Sequence, residues 1–143
     1  MKVALVHDAL INKGGAERVF KIFCEIFPKA TIYTSIYFED KTFPFFKDRK
    51  INTTPLQRYI SNEYQFKLLF PLANYFMYSL NLNDYDIVLS SSTTFGKYVK
   101  SIGGKHICYC YTPFRFLWDP QSYGINKKSV KYKFIKPFLS LFK

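Results

Sequence analysis

Acidic side chains are scarce in this chain, and scarcest towards its end. Ten Asp and Glu stand against 21 Lys and Arg, which gives a net charge of +11. From Gly96 onward ten basic residues face a single acid, Asp119, so this part alone carries +9. Such an excess favours anionic partners, whether phospholipid, sugar nucleotide or nucleic acid. No known nucleic-acid recognition motif is present, so nucleic acid is not an expected partner.

Cysteine is rare as well, with only Cys24, Cys108 and Cys110. The number is odd, and the alternating pair Cys108 and Cys110 has no second pair with which to form a metal site. We therefore predict reduced, mostly buried thiols.

A long apolar run is missing at the amino terminus. Only residues 3–6 separate Lys2 from His7, which is too few for a signal peptide, and no small-residue cleavage site follows them. We expect a cytoplasmic protein, at most peripheral on the inner face of the membrane.

Glycine is infrequent, and the pair Gly14 and Gly15 lacks both the dinucleotide fingerprint spacing and the lysine of a P-loop. Nicotinamide and ATP chemistry therefore find little support. A helix after this pair would offer free backbone N–H groups and the positive end of its dipole to a phosphate. An ordinary tight turn from strand to helix is the alternative.

Apolar and aromatic residues are abundant, at 48% and 20% of the chain. This argues against disorder, because disordered segments lack the side chains whose burial offsets chain entropy. A length of 143 residues fits one domain, residues 1–143, with a sizeable core.

Hydrophobic patterning predicts strands that alternate with helices. Strands are expected at residues 2–6, 31–35, 86–90 and 106–110, with a short strand near 51–53. Helices are expected at 16–27 and 95–101, and across most of 56–80, where Pro71 should kink or split the helix. The alternation predicts an α/β fold, a Rossmann-like doubly wound parallel sheet.

Polar and aromatic motifs stand where these strands end. His7-Asp8 follows the first strand, Gly-Gly-Ala-Glu-Arg-Val opens the first helix at Gly14, and Tyr-Thr-Pro-Phe-Arg-Phe-Leu-Trp-Asp follows the last strand at Tyr111. In this order the motifs resemble glycosyltransferase family 4 over most of the chain. The resemblance implies one half of a GT-B architecture, an amino-terminal acceptor-side domain that is truncated before its nucleotide-sugar domain.

The resemblance also implies an activity and a set of site residues. The family transfers a sugar from a nucleotide-sugar donor to a glycan or lipid-linked acceptor, here in cell-surface polysaccharide synthesis, without a metal or other cofactor. Gly14 and Gly15 would close over the donor diphosphate and the acceptor. The residues implied on the acceptor side are His7, Asp8, Ser92, Thr93, Arg115, Trp118 and Asp119. Without the second domain, the isolated chain is expected to transfer little sugar.

Two positions depart from the family pattern. Thr93 follows Ser92 where a histidine is usual, and Tyr111 stands where the strand usually enters His-Thr-Pro. If that histidine orients or polarises the acceptor, Tyr111 can still donate a hydrogen bond. It cannot act as a base near neutral pH, because the reference pKa of tyrosine is about 10.

Several of these residues also have structural interpretations. Arg115 could clamp a phosphate and Trp118 could stack on a sugar or a lipid, whereas a helix-capping salt bridge beside a core tryptophan would use Trp118 and Asp119 differently. His7 could be a strand-end histidine whose nitrogens are both satisfied.

The basic end of the chain, residues 127–143, carries six lysines and no acid. Its apolar residues fall on one side of a helical projection, which suits an anionic membrane surface. A helix packed on the sheet is the other interpretation. The alternative function is accordingly a non-catalytic basic module that binds anionic membrane lipid.

Overall fold

The fold was derived from a computed structural model of the chain, which describes residues 1–112. The compact unit spans Met1–Tyr111. Its centre is a five-stranded sheet, all parallel, in the order β3-β2-β1-β4-β5. The strands are β1 (Val3–His7), β2 (Thr31–Thr34), β3 (Ile51–Thr53), β4 (Ile87–Ser92) and β5 (Lys105–Cys110). The predicted α/β class, a Rossmann-like doubly wound sheet, is confirmed.

The central strand β1 divides the core into two layers. All five of its residues are buried, as its uninterrupted apolar run requires in a parallel sheet covered on both faces. Because side chains alternate along a strand, Ala4 and Val6 join one apolar cluster while Val3 and Leu5 join the other.

One helix covers each face of the sheet. Helix α1 (Gly15–Ile26) packs Phe20 and Cys24 into the cluster that contains Leu5. Helix α2 (Glu63–Tyr78) packs Phe66, Ala73 and Met77 into the other cluster. The spacing of these residues places them on the inner side of each helix.

The segment 56–80 is expected to kink or split at Pro71, and no split occurs at that residue. Pro55–Tyr59 forms a 3-10 helix, and α2 then begins after Asn62, whose side chain accepts a hydrogen bond from the Gln65 backbone N–H at 2.9 Å. An asparagine in this position is a favourable helix cap. Pro71 lies inside α2, where the buried residues on either side of it stabilise continuation of the helix.

Residues 95–101 also differ from the predicted helix, since only Gly96–Tyr98 forms a single 3-10 turn. The Asp8 carboxylate accepts hydrogen bonds from the backbone N–H groups of this loop, so contacts from another strand end replace those of a longer helix. Two further 3-10 turns, Glu39–Lys41 and Pro44–Phe46, lie between β2 and β3.

Strand β5 pairs with β4 and forms one edge of the sheet within residues 1–112. Its residues are mostly exposed, including Cys108 and Cys110. The prediction of mostly buried thiols is therefore wrong for these two, which lie on a strand at an edge of the sheet of residues 1–112. Cys24 is buried, and burial raises its pKa to about 12.

The lowered pKa of His106 in β5 predicts that the stability of the fold depends on pH. The ring of His106 lies 2.8 Å from the Ser90 hydroxyl, and burial lowers its pKa below the ordinary value of 6.5. At pH values between the pKa of His106 in the folded chain and its ordinary value, the ring is protonated in the unfolded chain and neutral in the folded chain. Stability should therefore fall as the pH drops through about 6.5, and His106→Gln should flatten that part of the profile.

Urea midpoints at pH 7.5, 6.5 and 5.5 test this expectation. The carboxylates titrate in both proteins, so the difference between wild type and His106→Gln isolates the ring. Parallel profiles would show that the charged ring is as well accommodated in the folded chain as in water.

Neither helix of the described part combines the length and apolarity that a membrane crossing requires.

Candidate functional site

The candidate site lies at the carboxyl ends of β1 and β4, the two central neighbours. From β1 the chain builds β2 and β3 on one side and then returns to add β4 and β5 on the other. The loops after β1 and β4 therefore diverge, and in open α/β sheets such a point is where ligands bind. The parallel register pairs His7 with Ser91 here, so polar residues 84 positions apart become neighbours.

A chain of hydrogen bonds connects the carboxyl ends of β1, β4 and β5 with the first turn of α1. The Tyr111 hydroxyl donates to the Ala16 carbonyl at 3.2 Å, so it accepts from the Ser91 hydroxyl at 3.0 Å. His7 Nδ1 faces the Ser91 carbonyl at 3.0 Å and the Ser91 hydroxyl at 3.1 Å, and therefore carries a proton. This relay fixes the first turn of α1 against the ends of β1, β4 and β5.

Glu17 completes this arrangement, although the sequence interpretation gave it no role. It is 6% exposed in the first turn of α1, and its Oε1 lies 3.8 Å from His7 Nε2. An acid in the first turn is favoured by the helix dipole. The signal in the sequence is its spacing from Phe20 and Cys24, which puts Glu17 on the buried side of α1.

His7 is a buried strand-end histidine of the candidate site, with Nδ1 within hydrogen-bond distance of Ser91 and Nε2 3.8 Å from the Glu17 carboxylate. Its ring is 3% exposed and stacks on Phe20 with 4.8 Å between ring centroids. One nitrogen faces Ser91 and the other faces Glu17. The ring is thus held in one orientation by all of its neighbours.

Asp8 is an anchor for the loop after β4. Its carboxylate accepts a hydrogen bond from the Ser92 hydroxyl at 2.8 Å and bonds of 2.6 to 3.1 Å from four backbone N–H groups, those of Thr93, Thr94, Phe95 and Gly96. Successive backbone N–H groups make an anion-binding concavity. Here the chain's own carboxylate fills that concavity, which fixes Ser92 and Thr93 in place.

Gly14 and Gly15 begin α1 beside this cluster, and their surroundings differ. Gly14 is the N-cap residue without a side-chain cap, and a Cβ there would lie 2.6 Å from Glu17 Oε2 and 3.1 Å from Asn12 Oδ1. A Cβ on Gly15 would meet no atom of the described residues 1–112 within 4 Å. Glu17 and Asn12 therefore occupy the space beside Gly14, whereas no described residue occupies the space beside Gly15.

Tyr111 keeps its proton in this environment. Burial raises the pKa of its hydroxyl above the ordinary value, and the hydrogen bond from Ser91 opposes only part of that shift. The hydroxyl is consequently suited to donating or accepting a hydrogen bond and not to abstracting a proton at neutral pH.

The structure brings most of the predicted site residues together. His7 and Tyr111 meet at Ser91, and Asp8 joins Ser92 and Thr93. Gly14 and Gly15 begin the helix whose first turn Tyr111 contacts. Arg115, Trp118 and Asp119, and the basic segment 127–143, lie outside the described residues. Among residues 1–112 no group of three or more His, Cys, Asp or Glu is arranged to hold a metal ion.

Two open depressions, of about 620 and 540 Å³, lie at the opposite, amino-terminal ends of the strands. They share Pro28–Thr31 between α1 and β2, and none of the predicted site residues lines either one. The candidate site is therefore identified by its cluster of polar side chains and not by a cavity.

Comparisons with known proteins add no family to this description. No protein-family model matches the sequence. No curated protein and no solved structure matches it significantly either. The fold and the strand-end cluster are thus the basis for any functional assignment.

Proposed function

We propose that this chain is the acceptor-side domain of a family 4 glycosyltransferase, which transfers a sugar from a nucleotide-sugar donor to a glycan or lipid-linked acceptor. The described residues of the motif order that resembles this family, namely His7, Asp8, Gly14, Gly15 and Tyr111, lie near the carboxyl ends of β1, β4 and β5 or at the start of α1. In a GT-B enzyme the donor binds mainly to a second domain, so acceptor binding is the part of the function assigned to this chain.

The observation that carries the proposal is the contrast between the two glycines that begin α1. A tight turn explains Gly14, whose missing side chain makes room for Glu17. It does not explain Gly15, which begins α1 beside the candidate site and where no atom of residues 1–112 occupies the space that a side chain would take. A glycine with no internal neighbour, at a helix start with free N–H groups, fits close approach by an acceptor or a diphosphate.

At the candidate site, Tyr111 would donate a hydrogen bond to the sugar acceptor and would not act as a base. Its hydroxyl is already tied to Ser91 and Ala16, so an acceptor hydroxyl would compete for one of these bonds. The protonated state favoured by burial is the state this role needs.

Gly15→Ala separates ligand approach from folding. The added methyl group meets no atom of residues 1–112 within 4 Å, so the free energy of unfolding should change by no more than about 0.5 kcal/mol. Affinity for the acceptor should fall at least about tenfold, because the methyl group occupies the space the ligand needs. The measurement is calorimetric titration of the full chain with short-chain polyprenyl-phosphate-linked sugars and oligosaccharides, with UDP-glucose and GDP-mannose as donor probes.

A second pair of variants tests the tyrosine. Tyr111→Phe removes the hydroxyl that contacts Ser91 and Ala16, while Tyr109→Phe makes the same change on a half-exposed residue two positions earlier. Acceptor affinity should fall for the first and not for the second. Equal affinity of wild type and Gly15→Ala, or no binding of any sugar acceptor, would refute the proposal.

A further inference from the structure

Helix α2 is apolar on two opposite sides. One side packs Phe66, Ala73 and Met77 into the core. The other presents a row of large side chains to solvent, each between 46% and 77% exposed: Tyr64, Leu68, Leu72, Tyr75 and Tyr78, here named the α2 stripe. At 3.6 residues per turn these five fall within an arc of about 120° and extend over about 21 Å of the helix.

Such a row needs an explanation that a single exposed residue does not. Isolated apolar residues on a surface are ordinary, but a contiguous apolar strip along a whole helix marks an interaction surface. A helix that is apolar all round is normally buried all round. In α2 only one side packs into an apolar core cluster of residues 1–112.

The α2 stripe is flanked by lysines, and the acid of its own helix is paired. Lys67 is exposed on the helix next to the stripe, and Lys100 Nζ lies 4.0 Å from the centroid of the Tyr78 ring. The only acid of α2 is Glu63, which is paired with Lys41 at 2.7 Å. The stripe is therefore flanked by cations, with no unpaired acid on its own helix.

We propose that the α2 stripe rests on an anionic membrane surface, with α2 parallel to the bilayer. Tyrosine rings place an apolar body and a polar tip at headgroup level, and lysines extend their charged ends to the phosphates. Leu68 and Leu72 lie in the middle of the row, where they would enter the acyl boundary. Lysine is depleted at protein–protein interfaces, so the lysines beside the α2 stripe favour a lipid surface over a protein partner. The proposal does not depend on sugar transfer.

Vesicle co-sedimentation of the full chain tests the assignment. Vesicles of phosphatidylcholine with phosphatidylglycerol should bind the chain, and the double variant Leu68→Ser/Tyr75→Ser should bind at least about tenfold more weakly. The matched control is Ile22→Ser/Ile26→Ser, which removes two apolar side chains of similar exposure from α1. This control should bind like wild type. Thermal melts establish that each variant is folded.

A charge variant gives an independent measurement that leaves the apolar residues intact. Lys67→Gln/Lys100→Gln should weaken binding to anionic vesicles about fivefold for each lysine removed. It should leave binding to pure phosphatidylcholine unchanged.

Three outcomes would overturn the assignment. Wild-type binding by the stripe variant would place the lipid contact elsewhere, as in residues 127–143. Absence of any vesicle binding would show that the α2 stripe does not bind a lipid surface. A concentration-dependent dimer that the stripe variant abolishes, without vesicle binding, would make the stripe a contact between copies of the chain.

Discussion

Replacing Asp8 with alanine should lower the free energy of unfolding by at least about 3 kcal/mol, enough to unfold a domain of ordinary stability. The change removes the acceptor of five hydrogen bonds, four of them from successive backbone N–H groups that begin at Thr93. An unpaired buried donor costs about 1–3 kcal/mol, although water reaching this partly buried loop offsets some of the sum. Urea denaturation followed by circular dichroism measures the loss.

Two further variants define what the Asp8 result means. Asp8→Asn keeps the shape but replaces one accepting oxygen with a donor that faces other donors, so its loss should be intermediate. Asp40→Ala removes a carboxylate that is 93% exposed and pairs with Lys47 on the surface, so its effect should be small. If Asp8→Ala were no more destabilising than Asp40→Ala, the carboxylate would not be the anchor of the loop.

Replacing Gly104 with alanine should cost about 3 kcal/mol. A Cβ at this position would collide with the Tyr85 carbonyl oxygen and lie 2.7 Å from the Asp86 carbonyl oxygen. Both are backbone atoms, so no side chain can rotate away. The Asp86 oxygen also accepts the 2.9 Å hydrogen bond from Lys105 that begins the pairing of β5 with β4.

Gly15→Ala is the matched control for this change, because it adds the same methyl group where no atom lies within 4 Å. The urea midpoint should fall for Gly104→Ala and stay near the wild-type value for Gly15→Ala. Equal midpoints would mean that the start of β5 can shift without loss of stability.

Sequence pattern was sufficient wherever a structure depends on neighbouring residues. The apolar run before His7 predicted β1, and apolar residues at helical spacing predicted α1 over residues 16–27. Failure came where distant contacts compete with local propensity. Pro71 did not split α2, because its flanks are buried in the core, and the loop after Ser92 formed one 3-10 turn, because it is bound to Asp8.

Exposure was harder to predict than secondary structure. Cys108 and Cys110 lie on a strand that the sequence predicted, but their exposure follows from the place of β5 at an edge of the described sheet. Strand order is a property of pairing between segments far apart in the chain, and apolar alternation within one strand does not encode it.

The sequence by itself determined the five strands, helix α1 and the fact that polar residues follow β1 and β4. Only the tertiary structure decided which of those residues meet. The parallel register that pairs His7 with Ser91 brings the Asp8 carboxylate to the N–H groups of a loop more than 80 residues away, and it gives Glu17 a histidine as its buried neighbour. Hydrogen bonds form over about 3 Å. A shift of one residue in this register would separate these side chains, although no local pattern in the sequence would change.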